Sequence, residues 1–362
     1  MAAVDDVRVL AARGLFEDAI DLAAQIEEPS DRVDALIEVA LRAAGNRDDL
    51  MQRIMGLIDK SLKKIKEPYE RAYVLSRLGH LHSRIGNVEE ASELFDEAAD
   101  SIAKIKDVRE KTLALALMAY HLTTAGFIED GLAAFEEAFN LAVSANMDYR
   151  RKLDLIIEVA NFIEAAGDAL SAGDALRFYE MAYDIFDKLY VSQKAAEVEK
   201  KMDVARTVSD FGSPEVRKAL LEGRYMYALK SLQKRLKDPQ DRFIAMLELA
   251  HWLKKVGAPE YFDVMDEAFK LLEGIGLSQA NVQKAAAILT EMGSPERALS
   301  FALEIKDPEK RDEALAAVAL KLAEGRDFIY AREVAGKVGD SMLRARLLQE
   351  IGRIEERERW EA

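Results

Sequence analysis

The chain has 362 residues, with 51 Lys and Arg against 66 Asp and Glu, a formal charge of −15, no cysteine and four histidines. This composition excludes a disulfide framework, a thiolate nucleophile and any cysteine-bound zinc or iron–sulfur centre. With 50% apolar residues the chain is too hydrophobic to be disordered, and no apolar run approaches the ~20 residues that a membrane helix needs.

The chain opens on Asp5, Asp6 and Arg8 rather than on an apolar signal core, so a soluble, cytoplasmic protein is expected. A short unit follows over 3–27, with Gly14 and Ala19. From there a pattern recurs: Ile/Leu-x-Asp/Glu-Pro-x-x-Arg at Ile26 to Arg32 and Ile65 to Arg71, then without proline at Ile105 to Lys111. It returns at Leu236 to Arg242 and Ile305 to Arg311. Proline suits the first position of a helix, where its missing N–H had no partner. An Asp or Ser before it can cap free N–H groups, and the acids after Pro214, Pro259 and Pro295 meet the positive helix end. All seven prolines therefore predict helix starts. Gly45, Gly86, Gly126 and Gly167, spaced by 41, 40 and 41 residues, mark turns, and Gly257, Gly293 and Gly325 continue the series.

Between these marks the apolar residues recur at helical spacing, as in Ala72, Leu75, Leu78, Leu81 and Ile85. No segment alternates with period two, and the chain reads as all-α. Each unit places a large–small pair in its first helix: Val39-Ala40, Leu78-Gly79, Met118-Ala119, Val159-Ala160, Leu249-Ala250 and Val318-Ala319. Small and aromatic positions follow in the second: Ala91, Phe95, Ala98; Gly131, Phe135, Ala138; Ala175, Tyr179, Ala182. A small residue lets the second helix approach, and a bulky one fills the space beside it. A single hairpin cannot bury its apolar face alone, so neighbours stack.

Leu78-Gly79, His82, Ala91, Phe95 and Ala98, and again Met118-Ala119, Leu122, Gly131, Phe135 and Ala138, carry a resemblance to the tetratricopeptide repeat family. The resemblance covers 28–190 well and 237–338 loosely. The period is ~40 rather than the 34 residues usual in that family, and Leu75, Leu115 and Ile156 stand where its early Trp does. It implies an α–α superhelix, a right-handed solenoid of antiparallel hairpins, here about nine. The expected organisation is an N-terminal half over 1–190, irregular helices and a possible bend over 191–236, and a C-terminal half with a capping helix over 237–362. Within the middle segment the predicted helices are Ser192 to Phe211, Pro214 to Glu222 and Tyr225 to Leu236; the last helix is Ser341 to Trp360.

Catalytic motifs are missing: no phosphate loop, dinucleotide fingerprint, nucleophile elbow or His-Glu-x-x-His stands in the chain. His80 and His82 point roughly 200° apart on one helix and cannot share a metal. The reading is non-enzymatic, without cofactor or metal. In tetratricopeptide-like arrays the residue after the small one faces the concave groove. Here that position and its neighbours give Tyr73, His80, Arg84, Tyr120, Thr124, Asn161, His251 and Lys255. Such a polar–aromatic strip suits a partner peptide or protein; it is also what an ordinary solvated face looks like. The Arg or Lys three residues after each proline position (Arg32, Arg71, Lys111, Lys152, Arg242, Arg311) reads as structural, reaching carbonyls or an acid of the previous unit.

Charge is polarised. Residues 1–50 hold 5 basic and 12 acidic side chains, whereas 201–250 hold 10 and 7. Arg217, Arg224, Tyr227, Lys230 and Lys234 therefore give a second reading, a regulatory or sensor module for nucleic acid or another anionic ligand. Lysines that complement a helix C-terminus explain part of the same cluster, and the acidic remainder repels a polyanion. Six Asn and eight Gln against 117 charged residues suit a thermophile. The expected role is an interaction scaffold, with homo-oligomerisation open.

Overall fold

The computed structural model describes residues 2–43 and 48–361, which contain helices, turns and no strand. Ten helices form five antiparallel hairpins: α1 (Ala2–Ala12) with α2 (Phe16–Ala24), α3 (Pro29–Ala43) with α4 (Asp48–Leu62), α5 (Pro68–Arg84) with α6 (Val88–Ala103), α7 (Val108–Thr124) with α8 (Ile128–Ser144), and α9 (Tyr149–Ala169) with α10 (Ala172–Lys188). Next comes α11 (Ser192–Thr207). Four more hairpins follow: α12 (Pro214–Leu221) with α13 (Tyr225–Arg235), α14 (Pro239–Lys255) with α15 (Tyr261–Leu272), α16 (Gln279–Glu291) with α17 (Pro295–Glu304), and α18 (Pro308–Glu324) with α19 (Phe328–Ala335). The last helix is α20 (Ser341–Glu361). The fold is all-α among the described residues, a series of packed helix hairpins. It divides into two compact units, residues 1–170 with 174–199 and residues 171–173 with 200–362.

In the first unit the odd-numbered helices α1, α3, α5, α7 and α9 pack side by side along a row. Their even-numbered partners pack mainly on their own hairpin and on the next odd-numbered helix. Helices in contact along one row and splayed along the other make the odd row the inner face. In the second unit α14, α16, α18 and α20 form the corresponding row.

The sequence accounts for these starts. Six prolines open α3, α5, α12, α14, α17 and α18, while Pro259 lies in the turn just before α15. The residue before the helix caps it: Glu67 accepts the Glu70 N–H at 2.9 Å, Asp107 that of Glu110 at 2.9 Å and Asp307 that of Glu309 at 3.0 Å. The recurring basic residue then ties α3, α5, α9 and α14 to the chain before them. Arg32 donates to the Ile26 carbonyl from Nε at 2.8 Å, Arg71 to Leu62 at 3.2 Å, Lys152 to Val143 at 3.0 Å and Arg242 to Lys237 at 3.2 Å. Lys111 and Arg311 make no such bond among the described residues.

Two details differ from the sequence reading. Gly86 and Gly126 do turn the chain, at φ 89° and 97°, but Gly167 lies inside α9, against the Tyr179 ring of α10. Gly45 lies outside the described residues. At Gly325 the left-handed residue is the next one, Arg326, at φ 66°. The helix predicted to Phe211 stops at Thr207, because the Asp210 N–H turns to the Glu248 carboxylate, at 3.1 Å. Gly79 meets the expectation for small residues: a Cβ there would stand 3.0 Å from the Phe95 ring. At the far end of the second unit, Asp312 of α18 accepts the N–H groups of Gly339 at 2.9 Å and Asp340 at 2.7 Å. These two donors hold its carboxyl below the ordinary range and fix the start of α20.

Candidate functional site

Side chains spaced by three or four residues share one face of a helix. On α5 that spacing lines up Tyr73, Arg77, His80 and Arg84 on the inner row. The next inner helices add Tyr120 and Thr124 from α7 and Asn161 from α9. Six of the eight expected groove residues thus lie on three neighbouring helices of the first unit. His251 and Lys255 hold the matching positions of α14, in the second unit.

The six are not equivalent. The Tyr73 hydroxyl donates to Asp34 Oδ1 at 3.1 Å, and Arg77 donates to that hydroxyl at 3.4 Å. Arg77 also pairs with Asp34 and, at 2.5 Å, with Glu38, while Arg8 of α1 reaches Asp34 at 3.5 Å. Asp34 is buried, so this network satisfies a charge removed from water. Burial, with the Arg8 charge, pushes the Arg77 guanidinium down to about 10, and burial raises the Tyr73 phenol. Tyr73 is therefore part of the lattice between α1, α3 and α5, not a free anchor.

His80 packs on His121 of α7, ring centroids 5.8 Å apart, with Tyr120 edge-on to His121 at 5.3 Å. Burial drives His121 down to about 3, and lowers His80 with help from Arg84 and Arg77. Both imidazoles are neutral at pH 7, and the buried His121 Nδ1 has no hydrogen-bond partner. The Thr124 hydroxyl is turned back onto its own helix, donating to the Tyr120 carbonyl at 3.0 Å. That leaves Arg84, Tyr120 and Asn161 at the surface of the row, their polar groups unpaired among the described residues. A cleft of about 810 Å³ opens between the starts of α7 and α9, walled by Arg109, Met147, Arg151, Ile157 and Glu158. Arg109 and Glu158 pair across it at 2.5 Å.

In the second unit, His251 stands with Nδ1 3.8 Å from Glu291, and Lys255 pairs with Asp203 at 2.9 Å. The sequence reading passed over Asp34, Arg77, His121 and Glu248. The first two lie on the predicted face, and His121 adjoins Tyr120.

The basic cluster needs correction. Arg217 is 3% exposed and donates to the Gly212 carbonyl at 2.9 Å, so it is not available to an anionic ligand. It stands three residues after Pro214 and makes the bond that Arg32 and Arg71 make. Arg224 pairs with Glu222 and lies over the Tyr227 ring, 5.1 Å from its centroid. Only Tyr227, Lys230 and Lys234 remain together, on one exposed face of α13. Among the described residues no three His, Asp or Glu side chains are grouped as metal ligands, and no helix is long and apolar enough to cross a membrane.

No family model matches the chain, and no curated protein does. Among solved structures it is similar to Ton1535 from Thermococcus onnurineus NA1, at 36% identity and a TM-score of 0.90, over 98% of this chain and 100% of that one. A circular tandem repeat protein aligns at 16% identity and a TM-score of 0.26, over 98% and 89% of the two chains. Yeast Tom70 aligns at 12% identity and a TM-score of 0.21, also over 98% and 89%.

Proposed function

The chain belongs to the family of Ton1535 from Thermococcus onnurineus, and we propose that it is a non-enzymatic protein-interaction scaffold or adaptor that holds a segment of a partner protein on its inner helix row. The observation that carries this reading is the contrast within that row. Asp34, Glu38, Tyr73 and Arg77 are locked together across helices, whereas Arg84, Tyr120 and Asn161 keep unpaired polar groups on the same surface. Rigid support beside free aromatic, amide and guanidinium groups suits peptide capture, since anchors held in place lose little entropy on binding. A cytoplasmic location is part of this proposal, and heat tolerance fits the low amide content and the ion pairs across helices.

The test is affinity capture from the source lysate with mass spectrometry, comparing wild type with the triple variant Arg84→Ala, Tyr120→Ala, Asn161→Ala. These three leave the ion-paired lattice alone, and circular dichroism confirms the fold. We expect at least one reproducible partner to disappear; an unchanged set removes the inner row from the account.

A further inference from the structure

The turn that joins α11 to α12 is fastened to a buried acid. Glu248 sits on the inner face of α14, three residues before His251, and is 2% exposed. Its Oε1 accepts the Asp210 N–H at 3.1 Å, and the Phe211 N–H is also directed at the carboxyl. Its Oε2 is buried with no hydrogen-bond partner. No cation is paired with it among the described residues. Lys284 of α16 is bound to the Asp210 carboxylate instead, at 2.5 Å. On either side, Lys255 is held by Asp203 of α11 at 2.9 Å, and His251 faces Glu291 of α16 at 3.8 Å.

We propose that Glu248 is a proton-operated latch for residues 208–213: the protonated carboxyl keeps the turn on α14, and loss of the proton lets it open. A carboxylate in this place keeps one oxygen without a donor and faces the charge of Asp210, a costly arrangement away from water. Burial is the largest cause that pushes Glu248 up to about 8, and Asp210 adds to it; the two backbone N–H groups and Lys284 act the other way and are outweighed. Once the turn lifts, water reaches the group and its pKa returns toward the ordinary 4.5.

Opening therefore releases a proton, and the closed form is favoured at the acid end of the interval from 4.5 to 8. Within the turn the backbone bonds are Gly212 N–H to Val208 at 2.8 Å and Ser213 N–H to Phe211 at 2.9 Å; Arg235 donates to the Phe211 carbonyl at 3.3 Å and Arg217 to that of Gly212 at 2.9 Å, so opening gives up these bonds and the Lys284 pair as well. The consequence reaches the inner face. An open turn frees Lys284 from Asp210 beside His251 and Lys255, and so changes the charge of that surface. The latch does not depend on the scaffold reading.

Hydrogen exchange on the native full-length chain tests it, with rates divided by the intrinsic rate at each pH. Protection of residues 208–213 should fall by at least about tenfold from pH 6 to pH 8, and Glu248→Gln, a neutral mimic of the acid form, should show no such fall. Protection that does not vary with pH in wild type, or an equal fall in E248Q, overturns the latch. A second measurement needs no variant. Infrared difference spectra of glutamate-labelled protein should show a protonated carboxyl at pH 6 that disappears by pH 10; no such band at pH 6 also overturns it.

Discussion

The Tyr179 ring of α10 packs directly on Gly167 of α9: a Cβ on the glycine would stand 2.7 Å from Cε1 and 2.8 Å from Cδ1. The tyrosine hydroxyl also donates to Asp168 Oδ1 at 2.8 Å, so the ring cannot withdraw without losing that bond. Overpacking of this kind costs about 1–3 kcal/mol, against a helix-propensity gain for alanine of roughly 1 kcal/mol. Gly167→Ala should lower stability by about 1–2 kcal/mol in urea unfolding. Gly56→Ala provides the control, since a Cβ on that helical glycine would meet nothing within 4 Å beyond its own helix. It should be neutral or gain up to ~1 kcal/mol.

The network at Asp34 predicts strong coupling. Arg77→Met removes the partner of a buried carboxylate, and the expected loss is about 3–5 kcal/mol. Most of that loss comes from the charge left behind rather than from the pair itself. The double variant Arg77→Met, Asp34→Asn should therefore recover a large part of it. A double-mutant cycle in urea checks this; strictly additive losses would mean the two residues do not share an interaction.

Arg217 distinguishes a structural arginine from a binding one. Arg217→Ala leaves the buried Gly212 carbonyl without its donor, and should cost about 1–3 kcal/mol of stability. Lys230→Ala and Lys234→Ala, on exposed α13 positions, should change stability by less than about 0.5 kcal/mol. Thermal unfolding of the three variants is the measurement, and a loss in the lysine variants equal to that of R217A would contradict the assignment.

Much of this fold is legible before any coordinates. Proline, the acid before it and the arginine after it mark helix starts, since each has a local cause: fixed φ, capping and a carbonyl partner nearby. The inner face is legible too, because helical spacing alone aligns Tyr73, His80 and Arg84. Contacts one repeat apart are harder to see. Tyr73 meets Asp34 and Arg77 meets Glu38, each 39 residues away, and Glu248 meets Asp210 across 38. For Arg77 and Glu38 the opposite charges one period apart carry that information, but only once the period is used to align acids with bases. What a buried neighbour does to a charge has no local signature at all. Nothing in the residues beside His121 or Glu248 says that one loses its proton and the other keeps it.

These two groups predict opposite pH responses in the two units. His121, in the first unit, is held down to about 3 by burial, against 6.5 when exposed. Its contribution is present above 6.5 and is lost as pH falls from there toward 3. Glu248, in the second unit, is raised to about 8 against 4.5; its contribution is present below 4.5 and is lost as pH rises toward 8. Each slope reaches about 1.4 kcal/mol per pH unit within its window. The chain has two tryptophans, Trp252 and Trp360, and both lie in the second unit. Tryptophan fluorescence therefore reports that unit alone, while circular dichroism reports the whole chain. Between pH 8 and pH 6.5, above the range in which His251 of the same unit takes up a proton, the urea midpoint by fluorescence should move upward. The part of the dichroism transition that fluorescence does not follow should move downward below pH 6.5. His121→Phe should shrink the second shift and leave the first; His80 and His82, also lowered by burial in that unit, account for what remains. A downward fluorescence shift over the same range would mean that Glu248 is already ionised in the folded chain.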